Sequence, residues 1–146
     1  MLNRDFREFI ESLNNHNVRY LVVGGYAVAL HGHPRYTKDL DVWIDLSRQN
    51  AENLIEAIHA FGFASLELAA QDFLTPGQVV QLGRPPNRID LLVSVSGVEF
   101  DECYDKRIQV AFDEVMVNFI DLESLKKNKE AAGRHQDLAD LENLRN

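Results

Sequence analysis

The chain has 146 residues, enough for one domain with a substantial core and little room for a second. Its residues are 45% apolar and 26% charged, as in an ordinary globular protein. The net charge of -8 excludes broad, charge-driven binding to nucleic acid, which rewards clustered Lys and Arg.

A single cysteine, Cys103, rules out an internal disulfide. The longest apolar run, residues 21–30, is half of the roughly 20 residues a membrane span needs, and it contains two glycines. The N-terminal "MLNRDFREFI" carries acids where a signal peptide has its apolar centre, so a cytoplasmic protein without membrane contact is expected.

In chain order, Phe6, Phe9, Ile10 and Leu13 recur at helical spacing and predict a helix over 3–15. Residues 20–23 read as a continuously apolar strand. Gly24 and Gly25 then turn the chain into a short helix over 26–30, which "HGHP" stops. His31 and His33 read as turn residues, because no further Cys or His completes a tetrahedral zinc set nearby. A strand follows over 40–44, and Ser47 caps a helix whose stripe is Ala51, Leu54, Ile55 and Ile58, closing near Gly62. The pattern over 64–80 is weak. "NRIDLLVSVSG", residues 87–97, is a strong strand signal, and further strands are expected near 108–110 and 115–119. From Asp121 onward two helical pieces part near Gly133, with Lys126, Lys127 and Lys129 read as a solvated helix face. The expected class is α/β (α+β), a single domain over 1–146 in which a mixed β-sheet is flanked by helices and followed by a helical C-terminal segment.

The chemistry concentrates in "RYTKDLDVWID". Side chains of a strand alternate faces, so Asp39 and Asp41 share one. An acid pair beside a loop often only caps a turn. Here the strand holds the two carboxylates together, where they repel unless a cation lies between them. Magnesium accepts such hard oxygen ligands together with substrate phosphates. A third acid on a neighbouring strand would complete a site for two ions, and Asp90, alone in the apolar "RIDLLV", is the candidate. A lone acid at this position also suits an edge strand guarding against aggregation. The Gly24–Gly25 turn lets backbone amides approach a phosphate, and Arg35, Thr37 and Lys38 stand ready to meet the same phosphates.

Taken together, "VGGYAVALHG", "RYTKDLD" and, about fifty residues later, "RIDLL" resemble the nucleotidyltransferase superfamily that includes DNA polymerase beta, and within it the small bacterial proteins related to AbiEii abortive-infection toxins. The C-terminal "KEAAGRHQDLADLENL" resembles a recurring tail of that group, with Lys129, Arg134 and Asp137 at its polar positions. One departure is Gly25, where many superfamily members carry serine.

The resemblance implies a minimal nucleotidyltransferase fold. It also implies transfer of a nucleoside monophosphate from a nucleoside triphosphate such as ATP to an acceptor hydroxyl on a protein, RNA or small molecule. It makes Gly24 and Gly25 the phosphate turn and Asp39, Asp41 and Asp90 the catalytic and metal-binding acids for magnesium, two ions, with manganese as substitute. Membership of a toxin–antitoxin or abortive-infection system is implied as well. The competing reading is a catalytically weak antitoxin or partner-binding subunit on the same fold.

Overall fold

The computed structural model describes residues 2–32, 37–63, 67–84 and 86–144. Helix α1 (Arg4–Asn15) starts where the Asn3 side chain accepts a hydrogen bond from the Phe6 amide at 2.8 Å, and it buries Phe6, Phe9, Ile10 and Leu13 completely. Strand β1 (Tyr20–Val23) leads into α2 (Gly24–Leu30), which takes both glycines into its first turn and so begins earlier than the apolar pattern indicates. Strand β2 (Leu40–Ile44) and helix α3 (Arg48–Ile58), capped by Ser47, lie where expected. The helix widens over His59–Phe63 at Gly62, whose φ is +120°.

The weakly patterned stretch hides a short 3-10 turn, Ala70–Phe73, and β3 (Val79–Leu82). Strand β4 is only Ile89–Leu92, shorter than the apolar run, because the chain turns away and forms α4 (Phe100–Asp105), which the pattern does not announce. Strands β5 (Ile108–Phe112) and β6 (Val115–Phe119) make a hairpin through Asp113 and Glu114, both at positive φ. Helix α5 (Leu122–Ala132) is capped by Asp121 and ends at Gly133, φ +65°, before α6 (His135–Leu144). Among the described residues no helix is long and apolar enough to cross a membrane.

The six strands form one mixed sheet in the order β3-β4-β2-β1-β6-β5, with β2–β4 and β1–β6 parallel and the other pairs antiparallel. Leu40, Val42, Ile44, Ile89 and Leu91 join the α1 and α3 stripes in the core, so the residues between them, Asp41, Trp43, Asp90 and Leu92, point to the opposite face.

Buried Asn50 ties α3 to the central strands. Its Oδ1 accepts from the Arg19 amide at 2.7 Å, and its Nδ2 donates to the carbonyls of Arg19 and Asp45 at 3.1 and 2.9 Å. Asn50→Ala orphans these backbone groups beside the start of β1 and the end of β2. Urea unfolding is expected to show a loss of about 2–3 kcal/mol, near the upper end for an unsatisfied buried group because several are affected. A loss below about 0.5 kcal/mol would show that the tie carries no weight.

Candidate active site

Three strands bring the site together through their register. In the parallel β2–β4 pair Asp41 lies opposite Asp90, and in the antiparallel β1–β2 pair Asp41 lies opposite Val23. Asp39 precedes Asp41 by two residues on the same face. The chain leaving Val23 therefore passes Asp41 at once, with Gly24 at φ +68°. A Cβ on Gly24 would run into the Asp41 carboxylate. Glycine is needed here both for its backbone angle and for the space it leaves.

The acids differ in their partners. The Arg88 guanidinium spans two of them, with Nη2 at 2.8 Å from Asp39 Oδ2, and Nε and Nη2 at 3.1 and 3.2 Å from Asp90 Oδ1 and Oδ2. Among the described residues no salt bridge reaches Asp41. Burial first, and then repulsion from Asp90 and Asp39, push its carboxyl up to about 6, against weaker opposing pulls from Lys129 and Arg88. "RIDLL" contained the signal for Arg88: it stands two residues before Asp90 and so shares its face.

Asp41 opens onto a cleft of about 730 Å³. It is lined by Gly24 and Gly25, by Leu92, Ser94 and Ser96, and by Asn128, Lys129, Arg134, Gln136 and Asp137 of the C-terminal helices and their junction. Lys129 corrects the expectation of a solvated helix face. It is 5% exposed, with Nζ at 3.2 Å from Asp137 Oδ1 and 3.1 Å from Asp140 Oδ2, both acids themselves buried. Arg134, exposed at the rim, places Nε 2.6 Å from Asp137 Oδ2. Burial would raise the Asp137 carboxyl, but hydrogen bonds from Arg134 and Lys129 hold it below the usual range.

Of the residues singled out in the sequence, Asp39, Asp41 and Asp90 come together, and Gly24 and Gly25 line the adjoining cleft. Thr37 is half-buried and Lys38 exposed just before β2, and neither is among the described residues lining the cleft. Arg35 and His33 lie outside the described residues. His31 caps the end of α2, its Nε2 2.8 Å from the Ile120 carbonyl, as suits a turn residue.

The three carboxylates, with Asp41 crowded by Asp39 and Asp90 and without a salt bridge among the described residues, are hard oxygen donors that suit a divalent cation in chemistry. Among the described residues, however, no three acids, histidines or cysteines converge closely enough to hold a metal ion as they stand. Arg88 occupies the space between Asp39 and Asp90. The donor set suits magnesium in its chemistry, and Asp90 Oδ1 is a buried oxygen without a hydrogen-bond partner among the described residues.

The raised Asp41 carboxyl makes a signed prediction. Below about pH 3.8 the group is protonated in folded and unfolded chains alike; between there and about 6 the folded chain holds the extra proton, so stability falls as pH rises. Asp41→Asn should therefore match the parent near pH 3.5 and exceed it by about 1–3 kcal/mol at pH 7 without metal, allowing for solvent screening. Chemical denaturation at the two pH values checks this, and an equal or lower stability at pH 7 contradicts it.

A crystal structure from Thermotoga maritima, of a protein named as a candidate nucleotidyltransferase, superposes with a TM-score of 0.62 at 16% identity, covering 97% of this chain and 89% of that one. An antigenic nucleotidyltransferase-like protein from Paracoccidioides brasiliensis gives 0.55 at 21% identity, covering 98% and 77%. The lincosamide antibiotic adenylyltransferase LnuA, in its lincomycin-bound crystal structure, gives 0.58 at 13% identity, covering 99% and 97%. At these identities the likeness establishes a shared fold, the minimal nucleotidyltransferase fold. No curated protein matches the chain in sequence. The sequence profile of one family matches residues 3–145, nearly the whole chain, and the protein belongs to that family, described as nucleotidyltransferase of unknown function (DUF6036).

Proposed function

We propose that the protein transfers a nucleoside monophosphate from a nucleoside triphosphate, ATP among them, to an acceptor hydroxyl, releasing pyrophosphate. The observation carrying this reading is that Asp41, the register partner of Asp90, lines a cleft together with Gly24, Gly25, Lys129 and Arg134. Asp39, Asp41 and Asp90 would hold magnesium, which when bound neutralises triphosphate charge and lowers the barrier to displacement at phosphorus. Gly24 leaves room for the Asp41 carboxylate, and Gly25 beside it gives the phosphates room. Arg134, exposed at the rim, supplies positive charge that a triphosphate can meet without being buried.

The protein's own task is positioning. Asp90 orients the acceptor hydroxyl and accepts its proton, while the cleft holds the phosphorus in line for attack. A protein, an RNA or a small molecule carrying a hydroxyl would serve as acceptor, and a toxin–antitoxin or abortive-infection setting in the cytoplasm would suit the chain. A second reading, a partner-binding subunit without turnover, draws on the Arg88 bridge, which leaves Asp39 and Asp90 paired without metal.

Two measurements separate these readings. Incubation with each α-labelled triphosphate, magnesium and cell lysate is expected to label an acceptor, and Asp41→Asn should reduce labelling at least about a hundredfold, the scale on which removing one electrostatic stabiliser of a transition state acts. Labelling that persists in the variant removes Asp41 from the chemistry. In thermal melts, a triphosphate with magnesium should stabilise the protein by about 2.7 kcal/mol at a hundredfold excess over its Kd, with either component alone doing much less. Gly25→Val should fold and lose that shift. Unmoved melting with all four triphosphates would favour the partner-binding reading.

A further inference from the structure

Arg88 is a third exposed, and its position is unusual for a structural strut. It lies over the acids on the open side of the sheet, anchored through its own carbonyl, which accepts from the Leu40 amide at 3.1 Å. Among the described residues Arg88 pairs with Asp39 and Asp90 and leaves Asp41 without a salt bridge. The pairing with Asp90 is also imperfect. Arg88 Nε and Asp90 Oδ1 stand 3.1 Å apart and both are buried, yet neither has an aligned hydrogen bond. A buried carboxylate oxygen held by charge alone is available to a better-placed cation. A guanidinium keeps its charge at all working pH, so one displaced from these acids needs another anion.

We propose that Arg88 is the site's resident cation: it holds Asp39 and Asp90 in the metal-free protein, gives them up to an arriving divalent cation, and then turns its guanidinium to the phosphates of the nucleotide. This rests on the metal and nucleotide reading above. Arg88 is thereby a positioning residue that makes metal and nucleotide bind together. Without a cation it screens the acids from one another; with a cation but no triphosphate it is left facing like charge. Only the two ligands together satisfy every charge, with the planar guanidinium suited to paired contacts on a phosphate.

Manganese binding, followed by the paramagnetic resonance of the free ion, tests the first half, and a non-hydrolysable triphosphate analogue tests the second. Arg88→Gln should bind Mn2+ alone about tenfold more tightly than the parent, the effect of removing one positive charge a few ångströms away in a solvated site. With magnesium present it should bind the analogue about tenfold more weakly, as loss of a charge-assisted contact predicts. Unchanged or weaker Mn2+ binding in a folded variant overturns the proposal. If neither protein binds Mn2+ even with the analogue, the metal reading itself falls. Should the variant not fold, the Arg88 Nε resonance of arginine-labelled parent protein decides: it should move when Mg2+ is added and move again with the analogue, and a resonance indifferent to both overturns the proposal.

Discussion

Parallel pairing of β2 with β4 presses Asp41 against Asp90, and the alternation of β2 adds Asp39 to the same face. The acids cannot separate without breaking the register that also buries Leu40, Val42, Ile89 and Leu91. Core burial thus fixes an electrostatic conflict, since a one-residue slip that freed the carboxylates would turn the apolar set out of the core. The conflict is answered in part by Arg88 and in part by the raised affinity of Asp41 for a proton. Both answers are provisional in chemical terms, because both a proton and a guanidinium can be exchanged for a stronger cation.

The C-terminal part of the cleft lining is held by another charged group of side chains. Helices of 11 and 10 residues, such as α5 and α6, are marginal on their own. Buried Lys129 joins them by reaching both Asp137 and Asp140, and Arg134 closes over Asp137 from outside. Burying such charges costs solvation, which the multiple pairings offset. In return α5 and α6 are held together beside the cleft, and Lys129 extends a weak attraction to Asp41.

Much of this was legible in the sequence because the relevant signals are local. Helical spacing at Phe6, Phe9, Ile10 and Leu13, the Ser47 cap and the apolar run of β2 each state one element within a few residues. The sharing of a face by Asp39 and Asp41 follows from alternation alone. Their meeting with Asp90 needed the order of strands in the sheet, for which the resemblance stood in. Strand β3 was hidden because an edge strand half open to water has no continuous apolar pattern, and α4 because six residues with two acids in its first turn show little periodicity. Lys129 looked solvated because its partners lie eight and eleven residues on, across a helix junction. Arg88 stood in plain view inside the quoted motif, but its role depends on which strand lies next to it.

Crowded as they are, the three acids are proposed to share a divalent cation with a triphosphate. Anomalous diffraction from crystals grown with Mn2+ and a non-hydrolysable triphosphate analogue tests it most directly. Manganese is expected between the Asp41 and Asp90 carboxylates, with the phosphates in the cleft beside Gly24 and Gly25. Manganese absent from these carboxylates while the analogue is bound, or an analogue seated away from the cleft, would contradict it.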